Sequence, residues 1–429
     1  MANSVPGFTN PAHTESFERV AQFASPAKVL EITLLLACCS TRAIDPAWLT
    51  ALLQHPLDWT YLEAIALVHQ VFPLFYRRLQ SVGLAYLPPA VAQHLQEEAH
   101  KNGARNLVLT NELLKLLHRF QNEGIPVLTF KGPTLATLAY GDLSLRCFTD
   151  LDLFMPITEI DRARQLLKEM GYQPQLDLTP AQDRVYTRFH YGYTFIHTHR
   201  QIQIDLHWDL LRQHFSFSPS PALIWDTLDW INLAGQPVPT LRPEALLLFV
   251  CAHSAKDDWW QLKFACDLAH LLQRQPDLHW DWIFSHAGQL GSRPMLDAGL
   301  LLAHQLLQAP LPPGLAEQLA AQPQLAHLTR QMQQHLFRDS LPPADQFFIP
   351  KIYLRTMDRW QDRLWFWLDV LTTPTRAEWQ IVDLPPALAF LYYPLRLLRL
   401  LYKYLTKHWT GPVPIAQSHS VPPAHLPPV

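Results

Sequence analysis

The residues with the clearest chemical potential are three aspartates. Asp150 and Asp152 sit two apart in Thr149-Asp-Leu-Asp-Leu-Phe154, and Asp205 lies in Ile202-Gln-Ile-Asp-Leu-His-Trp208. In a strand, residues i and i+2 point to the same face. Two carboxylates on one face with leucines on the other make no packing sense, and aligned acids are costly unless a cation lies between them. A third acid on a neighbouring strand completes a set that can hold divalent cations against a triphosphate. Magnesium suits such oxygen donors, and manganese is the near alternative.

These acids need a scaffold, and the sequence around them supplies one. Gly124-Ile-Pro-Val-Leu-Thr-Phe-Lys131-Gly132-Pro133-Thr134 reads as a buried strand over Ile125–Phe130, then a turn at Gly132 into a helix. A second strand carries Asp150 and Asp152. Ile160–Met170 has helical spacing and ends at Gly171. Phe189–His197 and Ile202–Trp208 read as paired strands, with Ile202, Ile204, Leu206 and Trp208 on one face and Gln203, Asp205 and His207 on the other. Lys131, at a strand end, and Arg146 are placed to meet phosphate, although Arg146 can equally pair with Asp142 or Asp150. His207 shares the face of Asp205, where it can orient that acid, contact substrate in the cleft, or serve as a strand histidine. His253, Lys256 and Asp257 share one helical face and can line a substrate cleft.

The order Lys131-Gly132, Leu135, Tyr140-Gly141-Asp142, Arg146, Asp150-Leu-Asp152-Leu153, Gly171-Tyr172 and Ile204-Asp205-Leu-His207-Trp208 resembles an uncharacterised bacterial nucleotidyltransferase family of the DNA polymerase β-like superfamily. The likeness is best over 105–210 and weaker over His253–Asp257 and Phe264–Leu272. It implies an α+β fold, a mixed sheet with flanking helices. It also implies Asp150, Asp152 and Asp205 as catalytic, metal-binding acids, an NTP as substrate, and Lys131, Gly132, Thr134 and Arg146 as phosphate contacts. The superfamily opens its helix with Gly-Ser. Here Gly132-Pro133-Thr134 stands instead, and Pro133 removes one backbone N–H.

The rest of the 429 residues is read as helical. A loose tail (1–25) precedes an N-terminal helical region (26–123) with helices at Val29–Cys38, Pro46–Leu53, Trp59–Val71, Ala90–His100 and Asn106–Glu123. The last has an apolar stripe including Leu107, Leu109, Leu113 and Phe120. The α/β core covers 124–242. A C-terminal helical region (243–410) has helices at Glu244–Lys256, Trp260–Arg274, Trp280–Gly288, Pro294–Gln308, Leu315–Ala321, Leu325–Leu336 and Ile352–Leu371, and a Pro-rich tail (411–429) is expected to be disordered. Prolines number 37 against 14 glycines, as suits helices broken by proline-bearing connections.

Net charge −3 and pI near 6.7 argue against long nucleic acid as a partner. Five cysteines without CxxC spacing, no signal-peptide pattern and no long apolar span lead to the expectation of a cytoplasmic protein. The combined expectation is transfer of a nucleoside monophosphate from an NTP to a small-molecule, glycan or protein acceptor, with release of pyrophosphate. The alternative is a catalytically weak nucleotide-binding adaptor. The stretch 388–407 intersperses Leu and Tyr with Arg and Lys, either as a membrane-surface contact or as a helix packed on the body with its basic edge in water.

Overall fold

In the computed structural model, the described residues are 18–211, 216–338, 340–341, 350–382, 384–406 and 413–414. Four helices lead in: α1 (Val29–Cys39), α2 (Pro46–Leu53), α3 (Trp59–Val68) and α4 (Phe72–Val82). Pro73 sits in the first turn of α4, where its missing N–H costs nothing, and α4 has no counterpart among the expected helices. Residues 18–25, expected to be loose, pack Val20 and Phe23 into the core; residues 1–17 lie outside the described residues.

Helix α5 (Pro89–Asn122) is one continuous rod of 34 residues, where two helices were expected. The gap left between the two expected helices, 101–105, is helical as well, and Gly103 is the poorest helix former in it. Two asparagines here serve tertiary contacts. Asn102 donates to the carbonyls of Ser144 and Arg146, and Asn106 to those of Leu143 and Arg146. Gly124, in the left-handed conformation, ends the rod as expected, with Ile125 N–H bonding back to Phe120 O. Leu107 is 63% exposed and does not belong to the buried stripe.

The central sheet follows: β1 (Leu128–Thr129), α6 (Gly132–Tyr140), β2 (Asp150–Phe154), α7 (Ile160–Glu169), β3 (Tyr172–Pro174), α8 (Pro180–Phe189), β4 (Gly192–His197) and β5 (Gln203–His207). The spatial order is β1-β2-β5-β4-β3. Only β2 and β5 run parallel, so the sheet is mixed. β1 is shorter than the Ile125–Phe130 run, and Phe189 ends a helix rather than starting a strand. Leu151, Leu153, Ile204 and Leu206 are buried with Leu113, Leu116 and Phe120 of α5 and Leu167 of α7. That face is thereby closed, and the acids are left to the other.

After a short helix α9 (Pro221–Asp226), the hairpin β6 (Leu228–Leu233) and β7 (Gln236–Leu241) turns at Ala234-Gly235, both with positive φ. It had no counterpart in the sequence reading. The remaining helices are α10 (Pro243–Lys256), α11 (Leu262–Arg274), α12 (Trp280–Gln289), α13 (Arg293–Leu307), α14 (Leu315–Ala320), α15 (Pro323–Leu336), α16 (Lys351–Thr356), α17 (Trp360–Thr372), α18 (Arg376–Ile381) and α19 (Tyr392–Thr406). The helix expected over Ile352–Leu371 is two, α16 and α17. Val413–Pro414 pairs with Ser340–Leu341; the other residues of the expected tail 411–429 lie outside the described residues. Leu34, Leu35 and Phe75 from the first helices share one apolar core with Leu247, Leu268 and Leu301 from the later ones. All five cysteines are free, buried thiols. Among the described residues no helix is long and apolar enough to cross a membrane.

Candidate active site

The alternation of β2 and β5 sets the site. Both strands bury leucine or isoleucine at every second position, so Asp152 and Asp205 must turn to the opposite face. Parallel pairing makes these two residues direct neighbours in register. Asp152 is 3% exposed. Its Oδ1 takes two partners: Lys131 Nζ at 3.1 Å and His207 Nε2 at 3.0 Å. Asp205 Oδ1 accepts from Thr194 Oγ on β4 at 2.8 Å, and Gln203 Nε2 lies 3.2 Å away.

The three acids do not behave alike. Burial pushes Asp150 up to about 6, and the charges of Asp152 and Asp205 add to the rise. Asp205 is raised as well, by burial and then by Asp152. Burial also acts on Asp152, but Lys131 and His207 outweigh it and hold that carboxyl well below the usual range. One acid is therefore firmly ionised between two that resist ionisation, and a divalent cation is the natural relief. The donor set fits one. Ligand atoms of Asp152, Asp205 and His207 lie within 4.8 Å of one another. This close group differs from the expected one: His207 joins it, and Asp150 stands one strand repeat away. His207 Nδ1 is buried without a hydrogen-bond partner. Its ring lies at 14° to that of Tyr191, 5.5 Å away, and sits against Gly192, where a Cβ would approach Nδ1 to 2.8 Å.

A cationic side faces the acids. Lys131 Nζ lies 5.5 Å from the ring of Phe249 on α10, and His253, one turn further along, lies 5.6 Å from the same ring. His253 is also 6.3 Å from Phe264 on α11, whose ring has Lys263 Nζ at 5.5 Å. Burial, then Lys131, Lys256, Lys263 and Arg146, depress His253 well below its ordinary value, so it is neutral at pH 7. Lys263 was missed in the sequence. Its signal was available: it stands four residues before Asp267, on the same face of an otherwise apolar helix. Its ammonium donates to Gln70 Oε1 at 2.6 Å, and it is depressed by burial and by Arg146.

Arg146 pairs with neither Asp142 nor Asp150. Its Nε and Nη2 donate to the two oxygens of Asp267 at 2.9 and 3.0 Å, and Tyr140 Oη donates to the same carboxylate at 2.8 Å. This buried triad ties the end of α6 and the loop before β2 to α11. Thr134 is fully buried, with its hydroxyl 3.4 Å from that of Thr129 rather than in the cleft. Gly132 has φ +51 and passes 3.4 Å from Asp150 O, measured from where a Cβ would stand, so the helix start presses close to β2. Lys256 and His253 both neighbour Asp257, at 3.1 and 3.6 Å, at the end of α10.

A mixed sheet bearing three acids on one face, with a glycine-started helix and a bank of cations beside it, is the architecture of nucleotidyl transfer. The chain belongs to the family described as uncharacterised nucleotidyltransferase, whose model matches residues 55–308, more than half of its length. It is a nucleotidyltransferase. No curated protein matches it. Among solved structures, similarity is found to the lincosamide antibiotic adenylyltransferase LnuA with lincomycin bound. Identity is 18%, coverage 38% of this chain and 94% of that one, and TM-score 0.28. ANT(2")-Ia in complex with adenylyl-2"-tobramycin is 14% identical over 43% of this chain and 98% of that one, with TM-score 0.31. An antigenic nucleotidyltransferase-like protein from Paracoccidioides brasiliensis is 16% identical over 48% and 94%, with TM-score 0.29. These are partial likenesses, and the assignment rests on the family.

Proposed function

We propose that this protein transfers a nucleoside monophosphate from an NTP to a hydroxyl or phosphate acceptor. The observation that carries the reading is the register pairing of Asp152 with Asp205, with Lys131 bonded to the former. Asp152 and Asp205, with His207 or Asp150, would hold magnesium or manganese. The bound metal would neutralise phosphate charge and make the acceptor hydroxyl more acidic. Lys131 and Lys263 would meet the triphosphate, with the Gly132 backbone beside them. The acceptor oxygen bonds to the α-phosphorus while the bond from that phosphorus to the bridging oxygen breaks. Pyrophosphate leaves with that oxygen, and the acceptor proton passes to Asp205. Arg146, engaged by Asp267, acts as an anchor for the loop that leads into β2. His253, Lys256 and Asp257 would border the cleft on the acceptor side. We divide the chain as the sequence suggests, with the α/β core at 124–242 between helical regions.

A second reading, a nucleotide-binding adaptor of weak activity, is favoured by one observation: Thr134, in the place of a phosphate-touching serine, is buried against Thr129. Incubation of the protein with α-labelled NTPs, Mg²⁺ or Mn²⁺ and bacterial lysate separates the two. Transfer of label to an acceptor, lost in Asp152→Asn, supports the enzyme. Nucleotide binding without any transferred label supports the adaptor.

A further inference from the structure

The last helices are built inside out. In α19, Arg396 and Arg399 turn inward to Glu378, which is fully buried, and Arg396 also donates to Val370 O at 2.9 Å. Leu398, Leu401 and Leu405 face outward, at 64%, 55% and 72% exposure. The neighbouring helix α17 repeats the pattern. Asp369 is buried and bonded to Thr373, Asp362 accepts from Ser216, and Trp360, Leu364 and Leu368 lie outward. An expectation for this stretch had the basic edge in water; the structure has Arg396 and Arg399 turned to the body. An apolar surface of this extent on a helix whose charges are already consumed internally marks an interaction site.

We propose that α17 and α19 dock on the surface of an anionic lipid bilayer. Charge decides the occupant. The segment Leu384–Thr406 contains Arg396, Arg399 and Lys403 and no acid, and its first twelve residues carry no charge at all. Arg396 and Arg399 are paired inward with Glu378, so the charge that this patch offers outward is that of Arg359 and Arg363. On α17 and its approach, Arg359 and Arg363 are exposed, and of the acids only Asp358 is exposed, at the edge of the patch. An apolar face with a basic balance and a tryptophan at its rim fits the headgroup boundary of an anionic membrane. No described helix is long and apolar enough to cross, so the helices lie on the surface. The site would thus work beside a membrane, whatever the acceptor.

The test is flotation of the full chain, without nucleotide, on vesicles of phosphatidylcholine alone or with phosphatidylglycerol. This readout is independent of catalysis, so its failure leaves the transferase reading standing. We expect the chain to float with the anionic vesicles about tenfold more than with the neutral ones. The triple variant Leu398→Glu, Leu401→Glu, Leu405→Glu loses flotation at an unchanged melting temperature, and Trp360→Glu with Leu364→Glu does the same from the other helix. Absence of flotation on both vesicles, or flotation unchanged in both variants, overturns the proposal. So does a wild-type dimer in light scattering that the variants dissolve, without flotation, because the occupant is then a second copy.

Discussion

Asp152 and Asp205 stand side by side in the parallel register of β2 and β5, and their acids share one face with nothing apolar between them. Each is fixed from behind by a different neighbour, Asp152 by Lys131 and His207 and Asp205 by Thr194. Asp152→Asn and Asp205→Asn should each lower turnover by about a thousandfold, the loss of several kcal/mol of charge stabilisation. Asp205→Asn should not lower the melting temperature, because burial and Asp152 hold that acid above its ordinary range, whereas Asp152→Asn should lower it, because Lys131 and His207 lose their acid. A steady-state pyrophosphate-release assay beside a thermal melt checks both halves.

Arg146 and Asp267 form a buried, bidentate pair, so breaking it differs from removing it. Asp267→Ala leaves a buried guanidinium without its acid and should cost about 3–5 kcal/mol in urea unfolding. The double variant Arg146→Met, Asp267→Leu should cost less than the single one. Equal losses would mean that the pair carries no buried charge penalty.

Gly192 makes room for His207. In Gly192→Ala the new Cβ would stand 2.8 Å from His207 Nδ1 and 2.9 Å from Leu206 O, too close for either to stay. The imidazole must leave Asp152. The expected result is weaker Mn²⁺ binding in titration calorimetry and a lower kcat, with His207→Asn giving a similar loss.

Lys263 is a cation placed by the helical region rather than by the sheet. Lys263→Met should raise KM for the NTP by about tenfold, one charge-assisted contact, with a smaller effect on kcat. An unchanged KM would remove Lys263 from the triphosphate side.

Three histidines, His69 buried and His270 and His335 half-buried, are depressed to about 4, chiefly by desolvation. The unfolded chain protonates them near 6.5 and the folded chain does not, so stability is full above 6.5 and falls as pH drops from 6.5 towards 4. Each contributes about 1–3 kcal/mol to that loss. His69→Asn, which keeps an acceptor for Leu262 N–H, should flatten the profile in melts between pH 7 and 4.

The acids were legible because a strand has a period of two and leucine filled the alternate positions of β2 and β5. The caps at Gly124 and Gly171 were legible for a similarly local reason: only a left-handed residue ends those helices cheaply. What could not be read was long-range. The pairing of Arg146 with Asp267 joins a loop to a helix far along the chain, and nothing in the local sequence prefers Asp267 to Asp142 or Asp150. Helix α5 was expected as two helices, and the reason that it continues is distant: Asn102 and Asn106 hold the carbonyls of the 143–146 loop. The inward turn of Arg396 and Arg399 depends on Glu378, on another helix. Lys263 had a local signal in its spacing to Asp267, but its place beside Phe264 and His253 comes from packing.

The central claim is that the acids on β2 and β5 bind metal together with nucleotide. Calorimetric titration of Mn²⁺ with a non-hydrolysable NTP into wild type, Asp152→Asn and Asp205→Asn tests it directly. The account predicts tight, metal-dependent nucleotide binding in wild type that weakens by at least about tenfold in each variant. Nucleotide binding of equal strength in all three proteins, with or without Mn²⁺, would contradict it.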